Sequence, residues 1–277
     1  MKQKDNKNLS CQYASFCLFS GQPLTNDRGY HSEESIISDI KHPVLTIVSS
    51  EQTNGVGILI IPGGGYRRLV HGKEGLSVAK YLASKGYSAF VLSYRMPVPV
   101  LGGNYALSDA NRALEFIKEW SSRNTVSLKS LGVIGFSAGG HVASGLVSHN
   151  YHHRNFIRPD FLVLLYPVIS MSANIAHRGC RDKLIGSDGN EDDFSIELNI
   201  PSEMPPVFII HATDDDDVCV EHSLRLADVL LRKKISVDIH LYEKGGHGFG
   251  LSDKTKLPVK GWKELFLNWL SFHNFNS

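Results

Sequence analysis

The sequence has no surplus of charge: 29 Lys and Arg stand against 28 Asp and Glu, a formal net charge of +1 over 277 residues. Without a basic excess no broad face can hold a phosphate backbone, so nucleic acid is not an expected partner. Nor does any stretch reach the roughly 20 consecutive apolar residues that a membrane-spanning helix needs. The four cysteines, Cys11, Cys17, Cys180 and Cys219, form no CxxC pair and no framework spacing. A chain of this size can bury a core without covalent staples, so free thiols in a reducing compartment are the simplest assignment. Repeats, low-complexity tracts and Pro/Ser-rich linkers are missing as well, and nothing divides the chain into separate units.

What is present is an ordinary globular balance, 42% hydrophobic and 21% charged, with 25 glycines. At the N-terminus Lys2, Lys4 and Lys7 precede an apolar stretch at 9–19. Asp5 sits in the charged part, Gln12 and Ser15 interrupt the apolar part, and no A-x-A-like site follows, which argues against a signal peptide. Residues 1–17 are therefore read as a short extension and 18–277 as one domain. The expected compartment is the cytoplasm, with secretion or a periplasmic location as the open alternative.

Apolar runs at 44–48, 57–61, 88–92, 131–135, 161–166, 207–211 and 237–242 read as strands. Most are continuous in Val, Ile, Leu and Phe rather than alternating, as expected for strands covered on both faces of a mainly parallel sheet. Helical stripes separate them: Ala106, Ala110, Ala113, Leu114 and Ile117; Val220, Leu224, Ala227, Leu230 and Leu231; and Trp262, Leu265, Phe266, Trp269 and Leu270 after Pro258. Alternating strand and helix gives an α/β class, a mainly parallel central sheet with helices on both faces and ligands at the carboxyl ends of the strands. The segment 170–206 lacks clear periodicity. A connection of that length is a functional loop or carries short helices, and it is expected, together with the loop at 66–72, to shape a substrate pocket.

Directly after the strand at 131–135 stands Gly135-Phe136-Ser137-Ala138-Gly139-Gly140-His141. A G-x-S-x-G sequence between a strand and a helix marks a nucleophile elbow, a turn so tight that its flanks must be small and its serine is held strained and exposed. A plain glycine-rich turn is the competing reading; the strand before and helix after decide against it. Upstream, the strand at 57–61 runs into Pro62-Gly63-Gly64-Gly65-Tyr66. In esterase architectures this loop offers backbone N–H groups to an oxyanion, commonly through an HGGG motif. Proline takes the histidine position here, but backbone donors do not depend on that side chain. Gly64, Gly65 and Ala138 are the expected donors. A phosphate loop is disfavoured because no GK[ST] follows. Tyr66 is a candidate substrate contact, with packing as the other possibility.

A base and an acid should follow in the order Ser, acid, His. Asp214-Asp215-Asp216-Asp217 follows the strand at 207–211, and Gly245-Gly246-His247-Gly248 follows the strand at 237–242, so both fall at strand ends on the serine's edge. Among 13 histidines, His247 alone lies in such a glycine-flanked loop; His149, His152 and His153 read as surface residues. Either Asp214 or Asp215 can serve as the acid. A structural metal at the aspartate run is not expected, because four adjacent carboxylates cannot all turn toward one ion.

Taken together these motifs resemble the α/β-hydrolase-fold carbohydrate esterases of the acetylxylan-esterase type, a lipase/esterase-like family, over residues 21–272. Glu74-Gly75, Tyr94-Arg95-Met96-Pro97, Arg158-Pro159-Asp160, Tyr166-Pro167-Val168-Ile169-Ser170-Met171 and Gly245-Gly246-His247-Gly248-Phe249-Gly250-Leu251 carry the resemblance further. It implies an α/β-hydrolase fold with no large cap domain and a Ser137–His247–Asp215 triad. It also implies no cofactor, and a small-molecule or oligosaccharide ester, most simply an acetyl ester, as substrate. Asp215 is preferred over Asp214 because hydrolases of this type place the acid in an H-x-x-x-D-x-x-V frame, matched by His211, Asp215 and Val218. Cys219 departs from the pattern, where relatives usually carry proline. Arg95 is expected as scaffold, and Asp109 with Arg112 as an i,i+3 ion pair or as support for a nearby loop. A serine peptidase of the prolyl-oligopeptidase type shares elbow and triad order, though the N-terminal part is too short for the propeller such enzymes carry. A non-catalytic binding protein of the same fold would typically have lost a triad member, and none is missing.

Overall fold

The computed structural model describes residues 12–25, 27–49, 53–98, 105–148, 157–186, 189–253 and 256–275. Lys2, Lys4, Asp5, Lys7 and Cys11 of the expected extension, and His149, His152 and His153, lie outside the described residues.

Eight strands form one sheet in the order β1-β2-β4-β3-β5-β6-β7-β8. They are β1 (Gln12–Cys17), β2 (Val44–Ser49), β3 (Val56–Ile61), β4 (Ser88–Ser93), β5 (Ser130–Phe136), β6 (Leu162–Leu165), β7 (Val207–Ala212) and β8 (Val237–Tyr242). β1 and β2 run antiparallel to their neighbours; every pairing from β4 to β8 is parallel. Seven of these strands fall on the apolar runs. The eighth, β1, corrects the expected boundary at residue 18: residues 12–17 pair with β2, Tyr13 opposite Val48 and Cys17 opposite Val44. Their mixed composition suits an edge strand, where the buried Ser15 hydroxyl is bonded to that of Thr46 and to His31 Nε2, both at 3.1 Å.

The continuous apolar strands serve two cores at once. On β3, Ile58 and Ile60 point into one core while Leu59 and Ile61 point into the other, the two-residue alternation of a pleated strand. One face is covered by α2 (Tyr105–Arg123), α3 (Ala138–Gly145) and α6 (Glu221–Arg232), the other by α1 (Ser77–Ser84) and α7 (Trp262–Phe272). Segment 170–206 carries α4 (Arg178–Leu184), α5 (Glu191–Phe194) and a 3₁₀ turn at Ile196–Leu198.

Arg95 is scaffold, bonded to the fully buried Asp109 through Nη2 at 2.6 Å and its backbone N–H at 2.9 Å. Asp109 is therefore not the partner of Arg112, which instead reaches Glu115 and Glu119 further along α2. Turned inward, Asp109 supports the segment after β4, the second of the two expected roles, and the i,i+3 contact falls to Arg112 and Glu115. Among the described residues no helix is long and apolar enough to cross a membrane, and no group of three His, Cys, Asp or Glu is arranged to hold a metal ion.

Candidate active site

The serine is placed by strain. β5 ends at Phe136, and Ser137 takes φ 50°, ψ −119°, a region that costs a non-glycine residue about 1–3 kcal/mol. Its surroundings hold it there: Ser137 N–H donates to Leu165 O at 3.0 Å, and its carbonyl accepts from Gly140 N–H and Val168 N–H at 2.9 and 3.0 Å. Glycine at 139 is obligatory, since a Cβ there would sit 2.1 Å from the carbonyl oxygen of Ile61.

His247 lies on the loop after β8. That loop is pinned at one end by Asp214, whose Oδ1 accepts from Gly245 and Gly246 N–H at 2.9 and 2.8 Å. At the other end Trp262 Nε1–H donates to Gly250 O at 2.9 Å. The Ser137 hydroxyl donates to His247 Nε2 at 2.9 Å, and His247 Nδ1–H donates to Asp215 Oδ2 at 2.7 Å. Both protons are assigned by the partners: an ionised carboxylate can only accept, so Nδ1 carries the ring proton and Nε2 is left to take the serine's. Burial alone would push the Asp215 carboxyl up. His211 and His247, with the N–H of Val218 at 2.8 Å, outweigh it and hold Asp215 well below the usual carboxylate range. The His211 ring is itself fixed, its Nε2–H shared between Val218 O at 2.9 Å and Asp215 at 3.3 Å and its Nδ1 accepting from the Ser223 hydroxyl.

Beside the elbow, the 62–66 loop runs close enough that a Cβ on Gly63 would meet Ser137 Cβ at 2.8 Å. Gly64 adopts φ 134° with the Arg68 carbonyl 2.0 Å from where a Cβ would stand, so only glycine fits. Among the described residues no protein group accepts from the N–H of Gly64, Gly65 or Ala138, which leaves the three expected donors available.

Tyr66 is not a substrate contact. It is fully buried, its hydroxyl donates to His141 Nδ1 at 2.9 Å, and the other ring nitrogen of His141 donates to Phe194 O at 2.8 Å. The successive positive φ values of Gly65 (65°) and Tyr66 (57°) reverse the chain and take the ring into the core against Tyr94. A cavity of about 1130 Å³ opens at His247, lined by Glu33, Val70, Lys73, Tyr81, Phe249 and Leu257 among others. Among the described residues its lining includes Val70 of the expected 66–72 loop, but neither Ser137 itself nor any residue of 170–206. That segment instead brings His177 to the site's edge. Its Cε1 is 3.4 Å from a Cβ position on Gly65, and its Nδ1 accepts from Cys180 N–H at the start of α4. Burial, then the charge of His247, push His177 below its ordinary value. No periodicity marked His177; only its place before a short helix could have.

Residues 102–272 match the model of the prolyl oligopeptidase family. An acetylxylan esterase of Xylanibacter ruminicola is 28% identical over 232 residues, 79% of this chain and 46% of the relative. An endo-1,4-beta-xylanase B of Butyrivibrio fibrisolvens is 33% identical over 211 residues, 71% of this chain and 33% of the relative. The chain thus spans under half the length of these two curated relatives. Among solved structures, an acetyl ester-xyloside bifunctional hydrolase of Caldicellulosiruptor lactoaceticus superposes with a TM-score of 0.74 at 32% identity, covering 88% of this chain and 98% of that one. The carboxylesterase Cest-2923 of Lactobacillus plantarum shares the fold with a TM-score of 0.73 at 23% identity, covering 85% and 94%.

Proposed function

The chain belongs to the prolyl oligopeptidase family, and from that premise we propose that it is a serine esterase removing small acyl groups, acetyl above all, from sugar hydroxyls. The observation that carries the reading is the continuous line Ser137–His247–Asp215, with hydrogen bonds of 2.9 and 2.7 Å. Relatives named for acetyl esters and xylosides support the substrate class.

In this mechanism Ser137 Oγ attacks the ester carbonyl while His247 Nε2 takes the hydroxyl proton. The carbonyl oxygen becomes an oxyanion held by the N–H groups of Gly64, Gly65 and Ala138, donors fixed before the charge develops. Collapse breaks the bond to the sugar oxygen, which leaves with the proton from His247. Water then attacks the acyl-serine, gives its proton to the same nitrogen, and acetate departs as Ser137 recovers its hydrogen. Asp215 stays ionised throughout and stabilises the imidazolium.

Replacing Ser137 with alanine tests this: acetate release from p-nitrophenyl acetate and from acetylated xylo-oligosaccharides should fall by ~10⁵-fold or more. Full retention of activity removes the assignment, and a preference for acyl chains beyond butyryl removes the acetyl part. The family match favours one other reading, a peptidase. Faster cleavage of a chromogenic peptide amide than of the matching ester would select it.

A further inference from the structure

Glu74 is a buried carboxyl that the triad does not use. It lies in a π-helical turn, His71–Leu76, between the oxyanion loop and α1. Single π turns tend to occur at functional positions because they re-aim one side chain at the cost of regular hydrogen bonding. The side chain so aimed is 3% exposed. Its Oε2 accepts from Gly63 N–H at 2.8 Å, the amide immediately before the expected oxyanion donors. Its Oε1 accepts from the Tyr166 hydroxyl at 2.9 Å.

Tyr166 links this carboxyl to the histidine. It follows β6 at φ 38°, is fully buried, and its ring meets that of His247 edge-on with centroids 4.9 Å apart. Its oxygen accepts from Gly250 N–H at 3.1 Å on the histidine loop, so its own proton is directed to Glu74. Every partner of Glu74 therefore donates and none accepts, the pattern of an ionised carboxylate. The titratable groups around it are Lys73 in its own turn, His247 across the loop, Tyr166 after β6 and Tyr94 after β4. Burial pushes the carboxyl above its ordinary value, against the pull of both hydrogen bonds and of His247 and Lys73. A charge held with so little water around it is weakly screened, and it acts on His247 more strongly than a surface carboxylate would.

We propose that Glu74 is a positioning residue of the active site, tying the oxyanion loop to the histidine loop through one carboxylate and stabilising the imidazolium that forms on His247. Asp215 holds the imidazole from Nδ1; Glu74 acts from the far side, through Tyr166 and through its field. The proposal rests on the serine-hydrolase reading, and its test does not require the natural ester.

The experiment is the rate of Ser137 phosphonylation by a fluorophosphonate probe on the full chain, from about pH 5 to about pH 9. Glu74→Gln keeps the shape and removes the charge, and it should lower the plateau rate by ~10-fold or more. It should also move the acid limb, which reports His247, to lower pH by about half a unit or more, because a lost negative neighbour disfavours the imidazolium. Tyr166→Phe keeps the charge and removes the link, so its plateau should fall while its limb stays. That second variant keeps the proposal testable should Glu74→Gln not fold. A wild-type plateau and limb in Glu74→Gln overturn the proposal. So does a slowed rate with an unmoved limb, which would leave Glu74 a structural role only. An unlabelled wild-type protein would defeat the serine-hydrolase reading itself, and this inference with it.

Discussion

Two adjacent aspartates divide the work of the histidine loop. Asp215 faces the imidazole, while Asp214 bonds the backbone of Gly245 and Gly246 and leaves 31% of its side chain exposed. Asp215→Asn should leave the fold intact and lower kcat by ~10³–10⁴-fold, because an amide can donate to the imidazole and stabilise the wrong tautomer. Asp214→Asn keeps an acceptor for both amides, and steady-state kinetics should show less than a ~10-fold change. Equal losses in the two variants would reverse the assignment. Tyr66 calls for the opposite experiment. Tyr66→Phe leaves His141 Nδ1 without its donor and should cost about 1–3 kcal/mol in urea unfolding, with KM unchanged. A raised KM would return Tyr66 to the pocket. The H-x-x-x-D-x-x-V frame favoured Asp215 only through the resemblance; the residues alone left Asp214 open, because both stand in the same turn after β7. Whether Tyr66 turned in or out depended on three consecutive positive φ values, at Gly64, Gly65 and Tyr66, and no residue type announces a left-handed tyrosine.

Elements show the same division between what composition encodes and what only contacts decide. The inner parallel strands were legible because burial on both faces demands uninterrupted apolar residues, as in Val-Gly-Ile-Leu-Ile-Ile of β3. β8, partly exposed at the opposite edge, was legible instead from its Val237, Ile239 and Leu241 alternating with polar residues. β1 was not, because an edge strand needs apolar residues on one face only and its Gln-Tyr-Ala-Ser-Phe-Cys offers a weak alternation. α1 carries Val78, Ala79, Leu82 and Ala83 at helical spacing, a pattern too short to stand out beside the longer stripes. The π turn before it has no sequence period at all, which is why Glu74 entered only as part of a resemblance. The elbow was the most legible element, since its geometry tolerates so few residues. Gly139→Ala tests that constraint: its methyl would meet the backbone of β3 at the Ile61 carbonyl, 2.1 Å away. Neither partner is a flexible side chain, so the strand and α3 must separate. The expected loss is about 3 kcal/mol or more, read as a lowered urea midpoint together with lost esterase activity. A variant as stable as the parent would mean that the close approach of α3 to β3 is not a constraint.

At the scale of the molecule, three buried neutral histidines fasten separate segments around the sheet. His71 donates to Tyr30 O and accepts from the Ser93 hydroxyl. His141 joins Tyr66 to Phe194. His222 accepts from the N–H of Ile169 and Ser170 and donates to Ile175 O. Each ring already uses one nitrogen as an acceptor, so protonation removes a hydrogen bond and leaves a buried charge. Burial above all pushes each of the three from 6.5 down to about 4. Between those values the unfolded chain binds the protons that the folded chain refuses, so stability rises with pH there. The contribution is complete above about pH 6.5 and lost as pH falls through about 4, by up to about 3 kcal/mol for each ring. Glu74 and Asp109 oppose this, since burial raises both carboxyls and favours the folded state as they protonate. Asp215, held low, reinforces the loss at still lower pH. The three rings act together between about pH 4 and about pH 6.5, and the two raised carboxyls subtract from their effect there. Urea unfolding at intervals between about pH 4 and about pH 7.5 should show a falling midpoint on acidification, with a slope below three protons at its steepest because the two raised carboxyls subtract from it. His222→Asn should flatten that slope by close to one proton whatever it does to the absolute midpoint. A midpoint that stays level or rises as pH falls would show that these rings are not kept neutral by the fold.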